Sequence, residues 1–182
     1  DYLRKRKVEC VVSEYFNLKY DSGKDRVVFP VYDRAMNFQG AVGRSVGETL
    51  PRYYNYFNFE AGNTLGGAQF LRADSDTIIV MEGFFDLLNC YQWATELGCD
   101  VVVTWRAELS NKQSEIILGL DKKIQIWYDD DSSGDKGWDK AKQSLKSSAF
   151  SVKRAALPFA TDPGDLTKEE FLSVYEKTRS CL

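Results

Sequence analysis

Two short acidic segments stand out because their spacing can bring carboxylates together. The first, Glu82-Gly83-Phe84-Phe85-Asp86, follows an apolar run at 77–81, and the second, Asp129-Asp130-Asp131-Ser132-Ser133-Gly134, follows another at 123–128. If both runs are strands, Glu82 stands at a strand tip and Gly83 makes the sharp turn. Asp86 then lies one helical turn along, on the same side as Glu82. Alternation in an extended segment turns Asp129 and Asp131 one way and Asp130 the other. Convergent carboxylates cannot all stay ionised without cations between them, and oxygen-only ligand sets select Mg²⁺ or Mn²⁺. Each segment alone is a weak signal, since a triple Asp after a strand is most often a solvated loop or a helix cap, and Glu-Gly at a strand end is common. Their occurrence at two tips of one sheet is what points to a metal site.

Other chemistries are narrowed by composition. The chain has no His, which removes Ser-His-Asp and Cys-His nucleophile systems and any His general base. Acid–base or metal work is left to carboxylates, Lys, Tyr or Cys. Cys10, Cys90, Cys99 and Cys181 show no paired spacing, and a zinc site would need clustered Cys and His. Cys10, Cys90 and Cys99 each border an apolar run and are expected as buried thiols.

The elements that must position the acids can be read from periodicity. Residues 2–19 carry apolar positions near helical spacing and predict a short helix or two. A turn at 21–25 precedes a strand at 27–32, in which Pro30 predicts an edge or a bulge. A hairpin connection over 33–39 leads to a second strand at 40–45, then an aromatic-rich extended stretch at 52–59 and a loop over 60–76. Beyond residue 77 strands alternate with helices: strands at 77–81, 100–104, 123–128 and 152–157, helices at 84–97, 110–118, 135–147 and 167–178. Thr167 with Glu170 three residues on is a capping box for the last helix. Strands that are apolar throughout and alternate with helices predict a parallel sheet covered on both faces. The expected fold is therefore α/β, a parallel sheet flanked by helices over 77–182, preceded by a smaller α+β lobe over 1–76.

The chain's 182 residues, 43% hydrophobic and 28% charged, suit a globular protein of one or two small domains. No apolar run approaches the roughly 20 residues needed to span a bilayer, so no membrane association is expected. The start, Asp1-Tyr2-Leu3-Arg4, is not a signal peptide, and without an initiator Met a fragment or processed product is expected. Charge is uneven: residues 1–56 hold 10 Lys+Arg against 7 Asp+Glu, whereas 57–182 hold 14 against 20. A basic front beside an acidic back suits a polyanion held by one part and metal ions by the other.

These segments carry a resemblance. Glu82-Gly83-Phe84-Phe85-Asp86 resembles the EGxxD segment of Toprim domains, and Asp129 to Gly134 resembles their DxDxxG segment. Toprim domains occur in primases, topoisomerases and certain nucleases. Flanking segments select the DnaG-type DNA primase family of bacteria and phage. Arg26-Val27-Val28-Phe29-Pro30-Val31-Tyr32-Asp33 resembles that family's R-[IV]-[IVM]-F-P-[IV]-x-D strand, and Gly40 to Val46 its G-[FV]-G-G-R-x-L strand. Pro51-Arg52-Tyr53-Tyr54-Asn55 resembles P-K-Y-L-N, and Tyr2-Leu3-Arg4-Lys5-Arg6 the Y-L-x-x-R entry. Leu157-Pro158 with Asp162-Pro163-Gly164-Asp165-Leu166 resembles the late L-P…D-P-D-x-L segment. The segments run in the family's order from residue 2 to about 175.

The resemblance implies a catalytic core with a Toprim-type sheet, making short RNA primers on a DNA template by two-metal nucleotidyl transfer in DNA replication. Glu82, Asp129 and Asp131 would be the catalytic metal ligands, with Asp86 and Asp162 as outer or second-metal acids. Two Mg²⁺ or Mn²⁺ ions about 4 Å apart would activate the primer 3′-hydroxyl and neutralise the triphosphate. Arg44, Arg52 and Asn55 match positions that hold template or incoming nucleotide, the two arginines through phosphates. Tyr53 is a candidate for stacking on a base, against the commoner role of packing in an aromatic cluster. Arg26 is a nucleic-acid contact or a solvated strand-end charge. Expected partners are single-stranded DNA template, ribonucleoside triphosphates and, through domains outside this chain, a replicative helicase or another replisome protein. The expected location is the cytoplasm of a bacterial or phage-infected cell.

The sequence also departs from the family pattern. Where the family has a G-T-x turn after its second Toprim strand, this chain has Thr104-Trp105-Arg106-Ala107. Arg106 brings a bulky cation near the acids, as an extra phosphate ligand or as an obstruction. The Lys of an F-H-K-G-like segment is missing from Phe59-Glu60-Ala61-Gly62, and the second Asp of the late segment falls on Gly164, with Asp165 next door. Two other classes of function stay open: Toprim nuclease or topoisomerase-like phosphodiester cleavage, and a non-catalytic nucleic-acid-binding subunit.

Overall fold

A computed structural model describes residues 1–158 and 161–180; Cys181 lies outside the described residues. The chain opens with two short helices, α1 (Tyr2–Lys5) and α2 (Cys10–Tyr15). Four strands follow, β1 (Lys19–Asp21), β2 (Arg26–Tyr32), β3 (Phe38–Ser45) and β4 (Tyr53–Tyr56), in an antiparallel sheet of order β1-β2-β3-β4. Asp33 builds the β2–β3 hairpin, its Oδ1 accepting the N–H groups of Ala35 and Asn37 at 2.9 Å each. Pro30 is tolerated inside β2 because β1 pairs only as far as Val28. From Phe29 onward β2 has β3 as its one neighbour and behaves as an edge, with the register breaking between Val31 and Tyr32.

The second half alternates β5 (Thr77–Met81), α3 (Phe84–Glu96), β6 (Asp100–Val103), α4 (Asn111–Leu118), β7 (Lys123–Trp127), α5 (Ser132–Ser144), β8 (Val152–Arg154) and α6 (Lys168–Ser180). All pairings are parallel and the order is β6-β5-β7-β8. The chain thus leaves β5 toward one edge and returns on its other side, so the direction of winding reverses between β5 and β7. Ligands of open α/β sheets bind at such a switch point, beyond the carboxyl ends of the strands. Local chemistry sets the helix starts. Ser110 Oγ accepts the Gln113 N–H at 3.0 Å while Gln113 Oε1 accepts the Ser110 N–H at 3.0 Å, and Thr167 and Glu170 form the same reciprocal cap. α5 starts at Ser132, three residues earlier than the apolar periodicity predicts, because Asp131 caps it. β8 is three residues long rather than six, since it is an edge strand paired only with Ile124–Ile126 of β7.

Side-chain alternation places Ile79, Met81, Val101, Val103 and Trp127 on one face of the parallel sheet and Ile78, Val80, Val102, Ile124 and Ile126 on the other. The first face packs on α3 and α6 and also on Val8, Val12, Phe16, Phe29, Val31 and Val42 of the amino-terminal lobe. One core therefore runs through both lobes and fixes the small sheet over the tips of the large one. Cys90 and Cys99 are buried, whereas Cys10 is exposed, because it opens α2 on the outward side while Val12 turns inward. No helix among the described residues is long and apolar enough to cross a membrane.

At the amino end of the parallel strands a buried ion pair holds the sheet to the 72–75 segment. Lys122 Nζ donates to Asp100 Oδ2 at 2.8 Å, to Arg72 O at 2.7 Å and to Ser75 O at 2.7 Å, so each ammonium proton has an acceptor. Removing one partner of such a pair strands the other charge in the interior. Lys122→Ala is therefore expected to lower unfolding stability by about 3 kcal/mol, measured as a drop in denaturant midpoint. A loss well under 1 kcal/mol would show that the network contributes little.

Candidate metal and phosphate cleft

The acids converge at the switch point. Glu82 leaves the tip of β5, and its Oε1 accepts the backbone N–H of Asp129, at the tip of β7, at 3.1 Å. Glu82, Asp86, Asp129 and Asp162 line one cleft of about 490 Å³. Asp131 stands at its margin as the cap of α5, its Oδ1 accepting the N–H groups of Ser133 and Gly134 at 2.8 Å each. The turn there requires Gly134: a Cβ would meet the Asp129 carbonyl oxygen at 2.0 Å. Asp86 is engaged on both oxygens, by the Gly83 N–H at 2.9 Å and the Gly164 N–H at 3.2 Å. It caps α3 and at the same time ties the late loop to it.

Burial, first, and the neighbouring carboxylates, second, raise the acids out of their ordinary range. Glu82 is pushed up to about 7 by burial and then by Asp129, with Asp131 and Asp162 adding to it. Asp86 is pushed up to about 7 by burial and then by Asp129. Asp129 rises to about 6 through burial and then through Asp162 and Asp131. Asp162 also rises, chiefly by burial, against the opposing pull of Arg6 and Arg52. Asp129 Oδ1 is buried with no hydrogen-bond partner. Among the described residues no three acidic or cysteine side chains are drawn tightly enough together to hold one ion. The donor chemistry nevertheless fits a hard divalent cation: all oxygen, partly dehydrated, mutually repelling, with one buried carboxylate oxygen unsatisfied.

A cationic wall faces these acids. Arg44, Arg52, Tyr53, Asn55 and Arg106 line the same cleft. Arg44 projects from β3, its guanidinium carbon 4.6 Å from the Tyr53 ring centre. Asn55 Nδ2 donates to Phe59 O at 3.2 Å, which fixes the end of β4. Arg106 is presented by a turn in which Trp105 takes a left-handed φ of 72° and Thr104 Oγ1 donates to Arg106 O at 2.6 Å. Arg26 does not reach the cleft. It is 2% exposed, and its Nη2 donates to Pro51 O at 2.7 Å, so it holds the turn that presents Arg52.

With this geometry in place, likeness to known proteins becomes specific. Residues 79–167 match the family described as Toprim-like. The DNA primase of Clostridium acetobutylicum is 28% identical over 172 residues, 90% of this chain and 28% of the relative. Residues 79–167 are Toprim-like, and the sequence is similar to DNA primases over most of its length. The crystal structure of the Aquifex aeolicus primase, zinc-binding and RNA polymerase domains, superposes with a TM-score of 0.80 at 24% identity, covering 97% of this chain and 54% of that one. A DnaG primase catalytic domain bound to ssDNA gives a TM-score of 0.76 at 21% identity over 97% of this chain and 70% of that one. At these identities the structural likeness is one of fold. The chain spans between 24% and 30% of the length of these curated relatives.

The cleft also contains residues to which sequence patterning gave no site role. Arg6, at the end of α1, lines it and sits 5.3 Å from the Phe85 ring centre. Its carbonyl accepts Asn89 Nδ2 at 3.0 Å, and the same amide donates to Gly164 O at 2.8 Å, so the start of the chain is fastened beside the late acidic loop. The Y-L-x-x-R resemblance of Tyr2 to Arg6 and the basic run Arg4-Lys5-Arg6-Lys7 were the available signals. Trp105 forms part of the floor, edge-on to Phe29 and Phe59 at 5.8 and 5.2 Å.

The raised acids couple folding to pH. Their protonated forms are favoured in the fold, so the stability they contribute is complete below the ordinary carboxyl pKa near 4 and lost as pH rises through 6 to 7. Metal-free protein is expected to melt at progressively lower temperature from pH 5 to pH 8. Asp129→Asn, which keeps the shape and removes the charge, should recover on the order of 1 kcal/mol at pH 8 after allowance for screening, about 2–4 °C in Tm. A flat pH profile, or a lower Tm in Asp129→Asn, would contradict a repulsive cluster.

Proposed function

We propose that this chain forms the metal-binding half of a DNA primase catalytic core, which makes short RNA primers on single-stranded DNA template. The observation that carries this reading is one cleft lined both by the acids Glu82, Asp86, Asp129 and Asp162 and by the cations Arg44, Arg52 and Arg106. The relatives named DNA primase and the neighbour bound to ssDNA support it. Glu82, Asp129 and Asp131 are the catalytic carboxylates and would hold Mg²⁺ or Mn²⁺, with Asp86 and Asp162 as outer acids. Ions held there supply the positive charge that activates a primer 3′-hydroxyl and neutralises a ribonucleoside triphosphate and its leaving pyrophosphate.

The protein's own groups do the positioning. Arg44, Arg52 and Arg106 take phosphate oxygens of template or nucleotide, and Tyr53, held against Arg44, offers a ring face to a base. Asn55 orients the strand beside them. In this division residues 1–76 hold the strand while residues 77–182 carry the acids. On this reading the chain works in the cytoplasm of a bacterial or phage-infected cell, with a replicative helicase or another replisome protein as a partner through other domains.

The test is incubation with single-stranded template, labelled ribonucleotides and Mg²⁺ or Mn²⁺. Short RNA products are expected, with rates reduced on the order of 100-fold or more in Glu82→Ala and Asp129→Ala while the fold persists by circular dichroism. Plasmid nicking without RNA synthesis would transfer the site to phosphodiester cleavage. Loss of both with ssDNA binding retained would leave a binding subunit. In a salt titration of ssDNA binding, Arg52→Ala should lower the slope of log K against log salt by about 1; an unchanged slope removes Arg52 from the phosphate contacts.

A further inference from the structure

Among the acids that line the cleft, Asp162 alone stands on neither a strand tip nor a long helix. It precedes a single helical turn, Pro163–Asp165, and its place is set by whatever holds that turn. α3 holds it through Asp86, Asn89 and Cys90. Asp86 Oδ1 accepts the Gly164 N–H at 3.2 Å, Asn89 Nδ2 donates to Gly164 O at 2.8 Å, and Cys90 Sγ donates to Pro163 O at 3.3 Å. Both backbone polar groups of Gly164 are therefore bound by one helix. The approach is close, since a Cβ at 164 would lie 3.1 Å from Asp86 Cα.

Asn89 differs from its two neighbours in what else it holds. The same Nδ2 donates to Arg6 O at 3.0 Å. Arg6, Asn89 and Asp162 line a small cavity of about 160 Å³, and Arg6 and Asp162 line the main cleft as well. One amide thus fixes the backbone of a cleft cation and the loop of a cleft acid. Its oxygen is left over: Asn89 Oδ1 is buried with no hydrogen-bond partner among the described residues. Turned over, the amide would set that oxygen against two carbonyl oxygens, so Arg6 and Gly164 dictate its orientation. An unpaired buried acceptor is unfavourable by about as much as the two hydrogen bonds contribute. The side chain therefore adds little net stability, and what it adds is geometry.

We propose that Asn89 is a positioning residue for the metal cleft, holding Gly164 O and Arg6 O together so that Asp162 stays on the cleft wall. It touches neither cation nor nucleotide and acts through the Asp162 carboxylate. The inference rests on the reading of Asp162 as an outer acid of the metal site and deepens it. Groups that hold a metal-site acid from behind change metal affinity by about 10–100-fold when removed.

The test is a double-mutant cycle on the full chain, read as Mn²⁺ affinity, with free Mn²⁺ counted by its electron paramagnetic resonance signal. Asp162→Asn, Asn89→Leu and Asn89→Ala should each weaken binding about tenfold. Leu keeps the size of the side chain without its donors, and Ala replaces it if the Leu variant does not fold. Adding the Asn89 substitution to Asp162→Asn should bring no further loss, because the two act in series. A side chain that only supports the fold would lower Tm and leave the Mn²⁺ affinity unchanged, or weaken it equally with and without Asp162. Either result overturns the proposal, as does unaltered Mn²⁺ affinity in Asp162→Asn. Primer synthesis absent while the cycle behaves as expected would count against the functional reading alone. Mn²⁺ binding absent from the unaltered chain would remove both.

Discussion

Glu82 accepts the backbone N–H of Asp129 at 3.1 Å, and this single hydrogen bond joins the tips of two neighbouring parallel strands. It brings two carboxylates within strong repulsive reach in a partly dehydrated place, and much of the surrounding structure is arranged to keep them there. β5 and β7 pair residue by residue from Thr77 and Lys123 to Met81 and Trp127, so neither tip can withdraw without breaking a ladder. Behind the tips Met81 and Trp127 are fully buried. Beyond them Asp131 is fixed by the start of α5, and Asp86 by two backbone N–H groups. The repulsion is thus contained by apolar packing and by caps, neither of which needs a neighbouring cation to form.

The two ends of the parallel sheet consequently differ in kind. At the amino end Asp100 is neutralised by Lys122 and Arg72, a closed set of opposite charges. At the carboxyl end the acids cluster, and the arginines lining the same cleft come from two places: Arg44 and Arg52 from the antiparallel lobe, Arg106 from the loop after β6. A domain built this way has its charges neutralised at one end and leaves mutually repelling carboxylates at the other. The shared core between the lobes keeps those walls at a fixed separation.

Much of this is legible in the sequence. Apolar runs with charged tips gave β5 and β7, and the Ser110–Gln113 and Thr167–Glu170 pairs gave helix starts, because these signals are local. What escaped depended on contacts distant in sequence. Arg26 reads as a nucleic-acid contact or a solvated strand-end charge, yet the Pro51 carbonyl, 25 residues away, takes it into the interior. Asp131 reads as a ligand, and its second duty as the cap of α5 moved the helix start forward. Arg6 lies 76 residues before Glu82 in a basic run that periodicity treats as surface, and only Asn89 shows why it faces the cleft. Cys10 borders an apolar run but falls on the outer side of a helix too short for periodicity to orient.

Asp86 and Gly164 form a pair whose members are separated by 78 positions and joined by one hydrogen bond. A Cβ at position 164 would lie 2.7 Å from Asp86 Oδ1, so an acidic side chain, which the related late segment carries at that place, has no room while Asp86 keeps its seat. The negative charge stands one residue later, on the exposed Asp165. Gly164 is thus what leaves room for Asp86 to act as a staple between α3 and the late loop in this chain: a side chain at 164 would have to displace the Asp86 carboxylate or the loop it holds.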